Sequence, residues 1–133
     1  MNRQEVMELF NKRPIIGTLS TADSKGEVNV AVFGSPQMID ENTVVMGIGN
    51  NRTLGNLKEN PMAVFIVMEP GETLTDWRGV RVNLEAMSID TEGGFYEQIK
   101  ESIARQGGKQ AADMIKAAIR FKVTEVRPVV GTG

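Results

Sequence analysis

The sequence predicts a mainly β protein, with six strands in a small antiparallel barrel and helices placed between and around them. Three observations predict it. Most strand-like segments are joined by short turns, which suit antiparallel neighbours and not parallel ones. Strand and helix do not alternate from the start of the chain, as a doubly wound parallel sheet requires. The length of 133 residues suits one domain, 1–133, large enough for a single core but not for two.

Residues 2–12 place Val6, Met7, Leu9 and Phe10 at helical spacing, and Pro14 ends this amphipathic helix. Residues 15–21, beginning Ile15-Ile16-Gly17, read as a strand. Asp23-Ser24-Lys25-Gly26 is a turn, and residues 27–35 are the returning strand. Val28, Val30 and Val32 share one face of it; Asn29, Ala31 and Phe33 share the other. Residues 38–42 read as a turn around Asp40-Glu41-Asn42, leading into a strand over residues 43–48. A short helix follows and stops at Pro61. Residues 62–68 are continuously apolar, as in a strand covered on both faces.

A loop over residues 69–76 contains Pro70-Gly71. Residues 77–90 then form a long strand in which Val80, Val82, Leu84 and Ala86 alternate with Arg81, Asn83 and Glu85. Residues 92–105 carry Phe95, Ile99 and Ile103 on one helical stripe, Gly107-Gly108 breaks the helix, and residues 109–117 resume it. The last strand spans residues 120–130, with Phe121, Val123 and Val126 inward.

Composition removes whole classes of function. A net charge of −2 and a pI near 5.2 argue against nonspecific nucleic-acid binding, which needs a basic surface. The chain has no cysteine and no histidine. That excludes disulfides, thiolate chemistry, Ser-His-Asp and Cys-His catalysis, His-ligated haem and ordinary zinc sites, so no metal site is expected. No apolar run approaches the roughly 20 residues of a membrane span. The polar N-terminus is not a signal peptide, so a soluble cytoplasmic protein is expected, with neither membrane nor nucleic acid as partner.

The most informative segment is Gly49-Asn50-Asn51-Arg52-Thr53, a small-residue turn between a strand and a short helix. It sets an arginine, a hydroxyl and unpaired N–H groups at one helix N-terminus, where the dipole and the guanidinium together attract an anion such as phosphate. The alternative is an ordinary cap, with Asn51 capping a surface helix and Arg52 in water. Gly47-Ile48-Gly49 imitates a dinucleotide fingerprint, but the third glycine is missing and the preceding strand is reached by a hairpin. No Gly-Lys-Ser/Thr follows, so the turn is not a P-loop either.

Three motifs in order are Gly26-x-x-Asn29-Val30-Ala31, then Asn51-Arg52-Thr53-Leu54-x-Asn56-Leu57-x-x-Asn60-Pro61, then Trp77-x-Gly79-Val80-Arg81-Val82. With the strands around them they resemble the pyridoxamine 5′-phosphate oxidase-like split-barrel flavoproteins, from about Val6 to Val126. The resemblance implies a six-stranded antiparallel split barrel of the FMN-binding type. It also implies a homodimer with FMN in grooves between the subunits. Carried over by position, Arg52 and Thr53 meet the FMN phosphate with Asn51 beside them. The isoalloxazine lies along Val32, Phe33, Gly34 and Ser35 and against Met46, Gly47 and Ile48, where small residues admit a flat ring. For Gly34 and Ser35 the alternative is a strand end with a bulge before Pro36.

Trp77 reads as a core or interface anchor or as a cofactor contact, and the resemblance implies a position near the subunit boundary, where both roles hold. Arg81 reads as solvated or salt-bridged, the alternative being that it reaches the flavin or a carboxylate across the dimer.

The chain departs from true pyridoxamine phosphate oxidases in lacking their substrate-phosphate clamp. It also stops at Arg127-Pro128-Val129-Val130-Gly131-Thr132-Gly133, without their longer C-terminal segment, so vitamin B6 oxidation is not expected. The absent histidine argues against the haem-degrading branch. What remains is an FMN-dependent oxidoreductase of a small molecule, an electron carrier or flavin store, a deazaflavin-dependent relative, or a barrel dimer that has lost its cofactor. No side chain stands out as a catalytic acid or base. Tyr96 and the carboxylates fall in helices or loops and read as solvated.

Overall fold

Alternation of apolar and polar residues drives the chain into one antiparallel sheet, seen in a computed structural model that describes residues 1–14 and 16–130. The elements in order are α1 (Arg3–Asn11), β1 (Gly17–Ala22), β2 (Val28–Phe33), β3 (Gln37–Asp40), β4 (Thr43–Ile48), α2 (Arg52–Glu59), β5 (Met62–Glu69), a 3₁₀ turn (Leu74–Asp76), β6 (Arg78–Asp90), α3 (Gly94–Asp113) and β7 (Ala117–Pro128). The strand order is β2-β1-β5-β6-β7-β4-β3, with every pair antiparallel. The expected start of β1 at Ile15 lies outside the described residues.

Among the described residues the sheet has seven strands, not six, and its edges are not hydrogen-bonded into a closed barrel. The added strand is β3, in the stretch that reads as a turn. Only Met38 is buried in it, so it carries no alternating signal. Its pairing comes from outside: Gln37 and Met38 register with Val45 and Val44, and a bulge follows. Asn11 at the end of α1 covers the other edge. Its amide donates to the Met38 carbonyl and accepts from the Met38 N–H, both at 2.8 Å, which occupies a strand edge that would otherwise invite pairing.

Strands β2 and β3 are neighbours in sequence yet occupy opposite edges of the sheet. Only Gly34, Ser35 and Pro36 join them. Such a link reaches about 14 Å at most, whereas a flat sheet of this width places its edges about 29 Å apart. The sheet therefore curls until its edges face each other across a seam.

The interior of the curl is filled by Leu19, Met46, Ile48, Phe65, Val82, Leu84, Ile119 and Phe121, with Val6, Leu9 and Phe10 supplied by α1 and Leu54 and Leu57 by α2. The Phe10 and Phe65 rings meet at 5.1 Å in a tilted arrangement. Asn2 begins α1 with a capping box to Glu5. The break expected at Gly107-Gly108 is present as a kink inside α3, where Gly108 adopts φ of 86°. The second arm of α3 ends at Asp113, and Ala117 already belongs to β7, paired with Ile48. Arg120, at the expected start of that strand, lies inside it and stacks on Phe95 of α3 at 4.4 Å.

Candidate functional site

The seam opens onto a cavity of about 860 Å³. One wall is the link between β2 and β3, with Phe33, Gly34 and Ser35. A second is the end of β4 and the turn beyond it, with Gly47, Ile48, Gly49 and Asn51. Kinked α3 and the residues after it close the rest, with Ile103, Gln106, Gly107, Ala111, Met114 and Ile115. Arg13 and Pro14 stand at the rim. Among the described residues the lining is mostly apolar and holds no carboxylate.

Helix α3 is tied over the cavity at its first turn and approaches β4 closely at Gly47. Tyr96 in its first turn donates its hydroxyl to the Ile115 carbonyl at 2.9 Å, so Tyr96 is a structural tie and not a solvated side chain. A methyl group on Gly47 would lie 3.1 Å from both Ile99 and Ile115. The missing side chain at Gly47 thus admits α3, while the residue's edge still lines the cavity.

Asn51 caps α2, accepting from the Leu54 N–H at 3.0 Å. The N–H groups of Arg52 and Thr53 fall in the first turn and have no intrahelical acceptor. Arg52 is exposed and makes no ion pair among the described residues. It faces a neighbouring groove shared with Asp23, Glu27 and Glu59. Two of those carboxylates are already engaged: Glu59 accepts from the Ser24 N–H and hydroxyl, and Asp23 accepts from the N–H groups of Lys25 and Glu27.

Phe33, Gly34, Ser35, Gly47, Ile48 and Asn51 are thus brought together around one cavity. The other residues singled out in the sequence lie elsewhere. Thr53 is buried, with its hydroxyl accepting from Asn29 at 3.3 Å. Met46 is buried in the core beneath the cavity. Val32 points out of the exposed face of β2 at 67% exposure. Trp77 is half-buried in a separate groove with Met1, Val80, Val126 and Pro128. Arg81 donates to the Pro128 carbonyl at 2.8 and 3.2 Å.

Sequence reasoning missed Arg13 and the whole contribution of α3. Arg13 donates to the Pro36 carbonyl at 2.8 Å and leans on those of Phe10 and Lys12 at 3.3 and 3.4 Å. Partial burial without a carboxylate partner pushes its pKa below the usual arginine value. The available signal was its place immediately after α1, which says nothing of the seam it reaches.

A family model described as pyridoxamine 5′-phosphate oxidase matches residues 3–130. Comparison with curated proteins gives no match. Among solved structures, an FMN-binding protein from Syntrophomonas wolfei subsp. wolfei is 28% identical at a TM-score of 0.82, covering 98% of this chain and 87% of that one. HupZ of Group A Streptococcus is 23% identical at a TM-score of 0.78, covering 100% of both chains. An F420 reductase is 17% identical at a TM-score of 0.64, covering 96% of this chain and 97% of that one. The last two likenesses concern the fold. Among the described residues, no helix is long and apolar enough to cross a membrane.

Proposed function

The chain belongs to the pyridoxamine 5′-phosphate oxidase family, and from that premise we propose that it is a homodimeric FMN-binding oxidoreductase acting on a small molecule. The observation that carries this reading is the convergence of two strand ends and a helix N-terminus on one apolar cavity of about 860 Å³. That size lies within the range of about 300–1,000 Å³ usual for small-molecule and cofactor sites. The FMN-binding relative at 28% identity supports the choice of cofactor.

The residues present fit the group. Phe33, Ile48, Ile103 and Ile115 offer an apolar bed for a flat ring, and the backbone of Gly34 and Gly49 offers polar groups at its edge. The cap at Asn51, the free N–H groups of the first turn of α2 and the guanidinium of Arg52, which makes no ion pair among the described residues, suit a phosphate. Bound FMN supplies the redox chemistry. The protein binds, orients and shields it from water, and no side chain is assigned as a catalytic acid or base.

The dimer completes this reading. Val28, Val30 and Val32 are exposed by 75%, 62% and 67% along one edge strand, a stripe that a twofold partner would cover. Val32 and Trp77 lie away from their own chain's cavity and reach a cofactor only through a second copy.

The test is a visible absorption spectrum of the purified protein before and after FMN is added and unbound ligand removed. A flavin band at about one per subunit supports the assignment. A colourless protein that refuses FMN overturns it, and a deazaflavin is then tried in the same way. Arg52→Ala lowers FMN affinity; unchanged affinity removes the phosphate assignment. Oxidation of reduced nicotinamide by the loaded protein separates an enzyme from an electron carrier or flavin store.

A further inference from the structure

Beside the main cavity lies a second one of about 320 Å³, and Arg13 and Gln106 line both. The smaller cavity is polar, with Asn11, Gln37, Ser102 and Arg105 completing its lining. Among the described residues neither lining contains a carboxylate, although the chain has 17 acidic residues against 15 basic ones. An acidic protein has thus kept its acids out of two adjoining spaces and placed a guanidinium where they join.

The charges there can be counted. Arg105 is matched by Glu101 at 3.0 Å, one helical turn away. Arg13 has only backbone carbonyls for partners, and its Nε–H has no acceptor among the described residues. Among the described residues the alcove therefore carries one positive charge without an ion-pair partner, on a planar fork whose geometry matches a carboxylate. A dianionic phosphate would leave one negative charge unmatched.

We propose that the small molecule entering this cavity is a monocarboxylate, with its carboxylate on Arg13, assisted by the Gln106 amide, and its apolar body against Gly107 and Ala111, which the flavin ring does not use. The assignment rests on the flavin reading for what the molecule does there, but not for its binding. It makes Arg13 the residue that selects for charge.

The test titrates benzoate, benzamide and phenyl phosphate into the purified full-length protein, with and without FMN, reading the amide NMR signals of Gly34 and Gln106. Benzoate is expected to shift both signals and to bind about tenfold more tightly than either analogue. Arg13→Gln abolishes the preference, and Arg13→Lys restores part of it. Equal binding of benzoate and benzamide overturns the proposal, as does tightest binding of phenyl phosphate or indifference to Arg13→Gln. If Arg13→Gln fails to fold, the ranking of the three ligands on the wild-type protein still decides. FMN retention is read separately from flavin absorbance. Displacement of FMN by benzoate would assign Arg13 to the cofactor's own phosphate and overturn the proposal. The expected ranking in a protein that refuses FMN upholds Arg13 and overturns the flavin reading instead.

Discussion

The side-chain amide of Asn29 donates to the hydroxyl of Thr53 at 3.3 Å and fastens the edge strand β2 to the first turn of α2. Thr53 is only 1% exposed, so this hydroxyl is part of the fold whatever else it meets. Thr53→Val keeps the volume and removes the acceptor. It is expected to cost about 1 kcal/mol in urea unfolding. A double-mutant cycle with Asn29→Ala tests the link: strict additivity would show that the two residues do not act together.

Gly47→Ala places a methyl group 3.1 Å from Ile99 and Ile115. With α3 tied down by Tyr96, the expected loss is about 1–3 kcal/mol. Ile115→Val removes the offending Cδ1 and should recover part of that loss in the double variant. A Gly47→Ala protein as stable as the wild type would mean that α3 moves freely over the cavity.

Lys12 and Glu69 meet at 2.6 Å, joining the residue after α1 to the end of β5. The Lys12 hydrogen bond is the main cause that holds the Glu69 carboxyl below the ordinary carboxylate value. Desolvation opposes it, and the charges of Lys12 and Arg78 add to it. A carboxylate whose folded pKa is depressed contributes stability above its unfolded pKa and loses it as pH falls through the folded value. The melting temperature of Glu69→Gln should therefore lie slightly below wild type at neutral pH and converge with it in acid. Because the pair is exposed, about 0.5 M salt should erase the same difference. A gap that persists in acid would assign the effect to packing.

Val30→Asp puts a charge in the middle of the exposed valine stripe of β2, opposite Ser20 of β1. Sedimentation equilibrium should show the wild type at twice the subunit mass and the variant shifted toward the monomer with its circular dichroism unchanged. A monomeric wild type would leave the stripe without the partner proposed for it.

The parts of this fold written in local chemistry are legible in the sequence. Asn2, Glu5 and Pro14 bound the first helix, the alternation from Val80 to Ala86 marks β6, and the glycine pair at 107–108 marks the kink. Strand β3 is not legible, because a four-residue edge with one buried side chain draws its pairing from Val44, Val45 and Asn11. The site divides in the same way. The segments around Gly34, Gly47 and Asn51 stand out because backbone geometry and capping leave traces in residue type. Arg13, Ile103 and Met114 reach the cavity through the curl of the sheet and the return of α3, which no spacing in the chain encodes.

The three-residue link between the sheet's two edges gives the fold an evolutionary degree of freedom. Gly34 and Ser35 line the cavity, while the core is built from the strands on either side of them. Insertion or deletion in this tether changes how far the edges stand apart, and so which molecules are admitted, without altering one core residue. Tether length therefore bears on ligand preference separately from the identity of the core residues, and it is the first variable to randomise when a different ligand is wanted.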